Sequence, residues 1–141
     1  MDPELAGAYT VRPIGTVHSP ISDPAQAPRQ GDEGAPDAWI SFAPGLATAV
    51  RDLRPGDDVL VLTWLHLADR DVLAVHPRDD ASRPLTGVFS TRSSHRPNPI
   101  GLHRVRILGI EEQGIKVRDL EAVDGTPVVD LKPVLEIRDE R

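Results

Sequence analysis

Proline and glycine constrain this chain more than any other feature. Fourteen prolines and eleven glycines are spread through 141 residues. Proline donates no backbone N–H and fixes φ, while glycine enters conformations that other residues avoid. A chain interrupted this often is built of many short elements joined by turns rather than long helices. The length suits one domain, with a core of about 9–137 inside 1–141.

The segments between these breaks read mainly as β. Tyr9–Ser19 has rough apolar alternation and is expected to form an early strand. Pro20–Asp37 has no period and reads as a loop longer than usual. Ala38–Phe42 reads as a short strand. Gly45–Leu53 places Leu46, Ala49, Val50 and Leu53 at helical spacing. "RPGD", 54–57, is a turn, with Pro55 presetting φ and Gly56 accepting φ > 0. Asp58–Leu67, "DVLVLTWLHL", is the clearest buried strand, with His66 near its end.

Further strands are expected at Asp71–His76, Gly87–Thr91, Leu102–Ile110 and Ile115–Leu120. The last two form a hairpin through "EEQG", with Gly114 left-handed. "VDGTPVVDLKP", 123–133, opens on an Asp-Gly turn and continues as a strand, and Val134–Ile137 is expected to close the sheet. The sum is a mainly β fold: a small single-sheet β-barrel with one or two short helices and no βαβ alternation.

Several chemistries are set aside. The chain has no cysteine, which removes disulfides, thiol catalysis and thiolate metal sites. Its five histidines do not pair at metal-binding spacing, so no metal is expected. No apolar run approaches ~20 residues, so no membrane span is expected. The start, "MDPELAGAYTV", lacks signal-peptide regions, which points to a cytoplasmic protein. There is no G-x-G-x-x-G after a strand, no phosphate-binding P-loop and no G-x-S-x-G elbow.

Charge is uneven. The net charge is −6, yet residues 81–110 hold five arginines and no Asp or Glu. Within "GVFSTRSSHRPNPIGLHRVRI", Gly87–Ile107, Pro97 and Pro99 stiffen the middle and Gly101 permits close backbone approach. Guanidinium groups suit bidentate binding of carboxylate or phosphate. Asn98 can donate and accept. A local basic site on an acidic body suits a small anionic or zwitterionic ligand, or a limited contact with RNA phosphates.

"GVFSTRSSHRPNPIGL" resembles the signature of the TsaA-like, TrmO-type family. "PIGTVHSP" (13–20), "PRQ" (28–30), "WLHL" (64–67) and "DGTPVVDLKP" (124–133) match the same family in order. The resemblance spans about Tyr9 to Pro133. It implies an S-adenosylmethionine-dependent tRNA methyltransferase acting on N6 of threonylcarbamoyladenosine beside the anticodon, a small β-barrel and a homodimer. It further implies cofactor contacts at Pro28, Arg29, Gln30, His66, Leu67, Arg92 and Leu102, and at Asp124, Gly125, Thr126 and Pro127.

Arg96, Asn98, Arg104 and Arg106 are expected on the substrate or RNA side. Arg104 and Arg106 stand two apart on one strand face. His66, His95 and Asp124 are candidates for the base, His66 and Asp124 foremost. Enterobacterial relatives carry an additional C-terminal domain that this chain is expected to lack. "ADRD" (68–71) and "PRDD" (77–80) are acidic where an RNA-facing surface prefers bases. The alternatives are methylation of a small molecule, or a non-catalytic module binding S-adenosylmethionine or RNA.

Overall fold

A computed structural model describes residues 7–29 and 31–135. In chain order the strands are β1 (Gly15–His18), β2 (Ala38–Phe42), β3 (Asp58–Trp64), β4 (Ala74–Val75), β5 (Thr86–Gly87), β6 (Ile100–Glu111), β7 (Gly114–Arg118) and β8 (Pro127–Pro133). Six of them close into an antiparallel barrel in the order β1-β2-β7-β6-β3-β8. Closure comes from β1 meeting β8, with Gly15 opposite Val128 and Thr16 opposite Pro127. It removes the exposed strand edges that an open sheet would present. Strands β4 and β5 pair separately.

Alternation along the strands builds the core. On β6, Gly101, His103, Val105 and Ile107 point inward, while Leu102, Arg104, Arg106 and Leu108 point out. On β3, Val59, Val61 and Thr63 point inward. Val17, Ile40, Val61, Val105, Ile107, Ile115, Val117 and Val128 fill the barrel. These β-branched side chains fit a pleated, buried surface. Each contributes about 1.5–3 kcal/mol relative to exposure. Bulges bend the sheet where the register shifts, between Ile107 and Gly109 on β6 and between Leu62 and Thr63 on β3.

The sequence expectations hold in outline and change in detail. The early strand narrows to Gly15–His18 and the helix to α1, Ala47–Val50. Gly56 has φ +93 in its turn and Gly125 has φ +84 at the Asp-Gly turn. Gly114, however, is not left-handed; a Cβ there would strike the Ile40 carbonyl of β2, so close packing demands the glycine. Gly87–Thr91 is not extended throughout, because Val88–Ser90 turns as a 3-10 helix. The buried strand stops at Trp64, leaving His66 in the loop beyond. The 71–76 strand shrinks to Ala74–Val75. Val134 adds no strand among the described residues; its N–H donates to the Asp58 carbonyl at 3.2 Å. Residues 136–137 lie outside the described residues.

Antiparallel pairing all round gathers three connections at one end of the barrel: 19–37 between β1 and β2, 65–99 between β3 and β6, and 119–126 between β7 and β8. The opposite end carries α1 and the tight β6–β7 turn.

Candidate functional site

The three connections enclose a cleft of about 1040 Å³. Pro28 and Arg29 come from the first, His66, Leu67, Arg92, Arg96 and Asn98 from the second, and Glu121 and Thr126 from the third. Leu102, at the start of β6, completes the wall. Residues far apart in sequence thus meet because strand ends bring their loops together. Such a concave site, part apolar and part polar, is the form that small-ligand pockets take.

Two ion pairs tie the first connection to the second. Arg29 Nη2 lies 3.0 Å from Asp79 Oδ2, and Arg78 Nη2 donates to both Glu33 carboxylate oxygens at 3.0 Å. Arg78 and Asp79 both have φ +56, a conformation that non-glycine residues seldom adopt. The acidic "PRDD" segment therefore faces arginine and glutamate of the long loop.

The proline-stiffened run is pinned from several sides. Arg96 Nη1 donates to the carbonyls of Thr91 at 3.1 Å and Ser93 at 2.9 Å, and its guanidinium lies over Phe89 at 5.9 Å. Arg70 Nε donates to the Pro97 carbonyl at 2.7 Å and Nη2 to Asn98 Oδ1 at 2.9 Å. His95 Nδ1 accepts from the Asp69 N–H at 2.9 Å. Arg92, by contrast, is exposed and carries no ion pair among the described residues. Phe89 is 79% exposed, an open aromatic face in the cleft.

The remaining expected residues lie elsewhere or apart. Asp124, Gly125 and Pro127 flank Thr126 but are not part of the cleft lining; Asp124 Oδ1 accepts from the Ser19 N–H at 3.0 Å. Gln30 lies outside the described residues. Arg104 and Arg106 share the outer face of β6, as their spacing predicts, and border a second, smaller depression of about 320 Å³. Both reach Asp58, Arg106 at 3.0 Å and Arg104 at 3.6 Å. The hydrogen bond from Arg106, with further attraction from both arginines, holds the Asp58 carboxyl below the ordinary carboxylate range. Among the described residues no cluster of three metal-ligating side chains occurs, and no helix is long and apolar enough to cross a membrane.

Sequence reasoning missed the polar chain at the cleft floor. Thr63, His103 and Glu121 come from β3, β6 and the β7–β8 connection. His103 Nε2 lies 2.7 Å from Thr63 Oγ1, and Nδ1 2.5 Å from Glu121 Oε1. The inward parity of His103 beside Val105 was the available signal; nothing local marks Glu121.

The chain matches the family described as tRNA-methyltransferase O N-terminal domain over residues 16–140. The chain belongs to this family. A relative from Methanothermobacter thermautotrophicus, called a probable S-adenosyl-L-methionine-binding protein, is 44% identical over 126 residues, covering 89% of this chain and 90% of that protein. An S-adenosyl-L-methionine-binding protein from Archaeoglobus fulgidus is 41% identical, covering 86% of each. The crystal structure of TrmO from Pseudomonas aeruginosa matches with a TM-score of 0.74 at 30% identity, covering 94% of this chain. A further TrmO crystal structure has a TM-score of 0.74 at 31% identity, covering 96% of this chain. The chain spans 59% and 63% of the length of these two TrmO chains. The TrmO family is a methyltransferase family, and the barrel described above is its fold.

Proposed function

We propose that this protein binds S-adenosylmethionine in the cleft and methylates N6 of threonylcarbamoyladenosine in tRNA, working in the cytoplasm as a homodimer. Family membership supports the cofactor and the reaction class. The observation that carries the reading is the cleft itself, where Arg92, without an ion pair among the described residues, an open aromatic ring and apolar walls converge at one barrel end.

The residues present fit the cofactor. Arg92 offers a flat fork of donors to a carboxylate. Leu67 and Leu102 give apolar contact, and Phe89 an aromatic face. Pro28, Arg29, Gln30, His66 and the turn Asp124–Pro127 are the proposed remaining contacts. When bound, the cofactor supplies an electrophilic methyl group on a positively charged sulfur. The protein's own part is to hold donor and acceptor in line and to exclude water. The bracing by Arg70 and Arg96 preorganises the 91–98 segment, which limits the ordering cost of binding. Arg96, Asn98, Arg104 and Arg106 are the proposed RNA-side residues.

Two measurements test the reading. Calorimetric titration with S-adenosylmethionine is expected to show saturable heat. Incubation with labelled cofactor and tRNA bearing threonylcarbamoyladenosine is expected to label that nucleoside. Binding without transfer to tRNA, but with label in small molecules, would move the acceptor to a metabolite. No heat at high cofactor concentration would sink the whole reading.

A further inference from the structure

The backbone ladder between β6 and β7 runs out at Arg106 opposite Arg118. Beyond it Asp119 takes φ +70, and the chain leaves the sheet. His103 and Glu121 bridge β6 and the segment after β7 in place of the ladder. The His103 side chain is 4% exposed and that of Glu121 16%; Thr63 is fully buried. Gly101 makes room, since a Cβ there would strike both Thr63 Oγ1 and His103 Nε2.

The chemistry of this chain has one direction. A carboxylate only accepts, so the proton between His103 and Glu121 sits on Nδ1. In the neutral ring Nε2 then accepts the Thr63 hydroxyl proton. Glu121 Oε1 is thereby fixed by a ring that Thr63 orients. Oε2 lies beside Gly31 with no protein hydrogen-bond partner among the described residues, and Glu121 borders both the cleft and the smaller depression.

The other candidate bases are worse placed. Asp124 is engaged by Ser19 and is not part of the cleft lining. His95 accepts at Nδ1, so its neutral ring carries the proton on Nε2 and has no free lone pair. His66 is exposed in a loop. Asp79, the other carboxylate lining the cleft, is paired with Arg29.

We propose that Glu121 is the proton acceptor for the methyl-accepting nitrogen, with His103 and Thr63 as positioning residues; the assignment rests on the methyltransferase reading above. The acceptor is then an N–H of amide-like character, which is a poor nucleophile while it keeps its proton. A carbon–nitrogen bond forms as the carbon–sulfur bond breaks, and sulfur keeps the electron pair. The nitrogen's proton passes to the Glu121 carboxylate, which later releases it to water.

The test compares Glu121→Gln, Glu121→Asp and Glu121→Ala with the parent. Glu121→Gln is expected to bind cofactor within about threefold of the parent and to keep its KM for acceptor. Its kcat is expected to fall by about 100-fold or more. Formate added to Glu121→Ala is expected to restore part of kcat, which a purely structural role would not allow. Ring nitrogen spectra of His103 in the cofactor-free protein are expected to show the Nδ1–H tautomer, a readout independent of turnover.

Parent-like kcat in Glu121→Gln overturns the assignment, as does an Nε2–H tautomer. If Glu121→Gln fails to fold, Glu121→Asp decides: a folded variant retaining more than a tenth of kcat supports the assignment, and one that folds yet is inactive even with formate overturns it. A parent that neither binds cofactor nor transfers methyl overturns the underlying reading, an outcome distinct from an active parent with an equally active Glu121→Gln.

Discussion

Arg70 holds Asn98 in place: its Nη2 donates to Asn98 Oδ1 at 2.9 Å while its Nε takes the carbonyl of neighbouring Pro97. The guanidinium carbon of Arg70 lies over Trp64, 5.2 Å from the ring centroid. Pro97 and Pro99 withhold their own backbone donors, so an external fork braces the "RPNP" step. Arg70→Ala is therefore expected to destabilise the fold by about 1–2 kcal/mol, from lost charged hydrogen bonds and stacking. Arg70→Lys is expected to recover less than half of this, because lysine lacks the planar fork. Urea denaturation checks both. Asn98→Ala combined with Arg70→Ala is expected to cost less than the sum of the single changes.

Gly101 offers a second test of packing at the cleft floor. Its missing Cβ leaves room for the Thr63–His103 hydrogen bond. Gly101→Ala adds one methyl group against two side chains that cannot both move without losing that bond. The expected cost is about 1–3 kcal/mol, seen as a lower denaturation midpoint with an unchanged slope. A variant as stable as the parent would show that the floor is loosely packed.

How much of this was legible beforehand follows from the range of each signal. A continuous β-branched apolar run marked β3, and the spacing of Arg104 and Arg106 marked one face of β6; which residues turn inward, Val59, Val61, Val105 and Ile107, is decided by the pleat of each strand. Turns at Pro55–Gly56 and Asp124–Gly125 were readable because local φ preference governs them. Arg104 and Arg106 were placed on one face by spacing alone. Long-range pairing was not readable. Nothing near Gly114 in sequence announces the Ile40 carbonyl, and nothing near Glu121 announces His103, which is 18 residues away. The "PRDD" segment looked like a surface hostile to RNA because its partners Arg29 and Glu33 lie some 45–50 residues earlier. Identifying the cofactor depended on resemblance, since no periodicity encodes a sulfonium.

Asp58 gives a pH test whose sign is fixed by the direction of its shift. Arg106 hydrogen-bonds its carboxylate and, with Arg104, holds its pKa below the ordinary value. A depressed pKa in the folded state favours folding fully above the unfolded value, about 3.9, and that contribution is lost as pH falls through the folded value. The stability difference between parent and Asp58→Asn is thus expected to be flat from about pH 5 to 8 and to shrink below about pH 4. Thermal melts of both proteins across this range check it. A difference that grows on acidification would contradict the pairing.

Among the cleft arginines Arg29 and Arg78 are ion-paired and Arg96 is spent on backbone carbonyls, whereas Arg92 makes neither kind of contact among the described residues, so its fork is available to a ligand carboxylate. Arg92→Ala is expected to weaken S-adenosylmethionine binding by about 10- to 100-fold, the range of a charged hydrogen bond. Stability is expected to change by less than 0.5 kcal/mol, roughly, as for an exposed side chain. Calorimetry and denaturation together separate the two effects. Unchanged affinity would place the carboxylate clamp elsewhere.

Arg104 and Arg106 lie on the outer face of β6 and share a single carboxylate, Asp58. Arg118 borders the same depression, as do the carboxylates Asp32, Asp119 and Glu121, so the local charge is mixed on a chain whose net charge is −6. An RNA phosphate approaching this face would compete with Asp58 rather than with solvent alone. Binding then depends on salt, because neutralised phosphates release their counterions. Removing both arginines is expected to lower tRNA affinity and reduce the slope of log K against log salt by about 0.7 per lost phosphate contact. Cofactor affinity is expected to stay unchanged, since neither residue is part of the cleft lining. Asp58→Asn is expected to act in the opposite direction at low salt, because it frees both guanidinium groups. Filter binding across a salt series measures all three proteins, and slopes identical to the parent in both variants would place the RNA on another face.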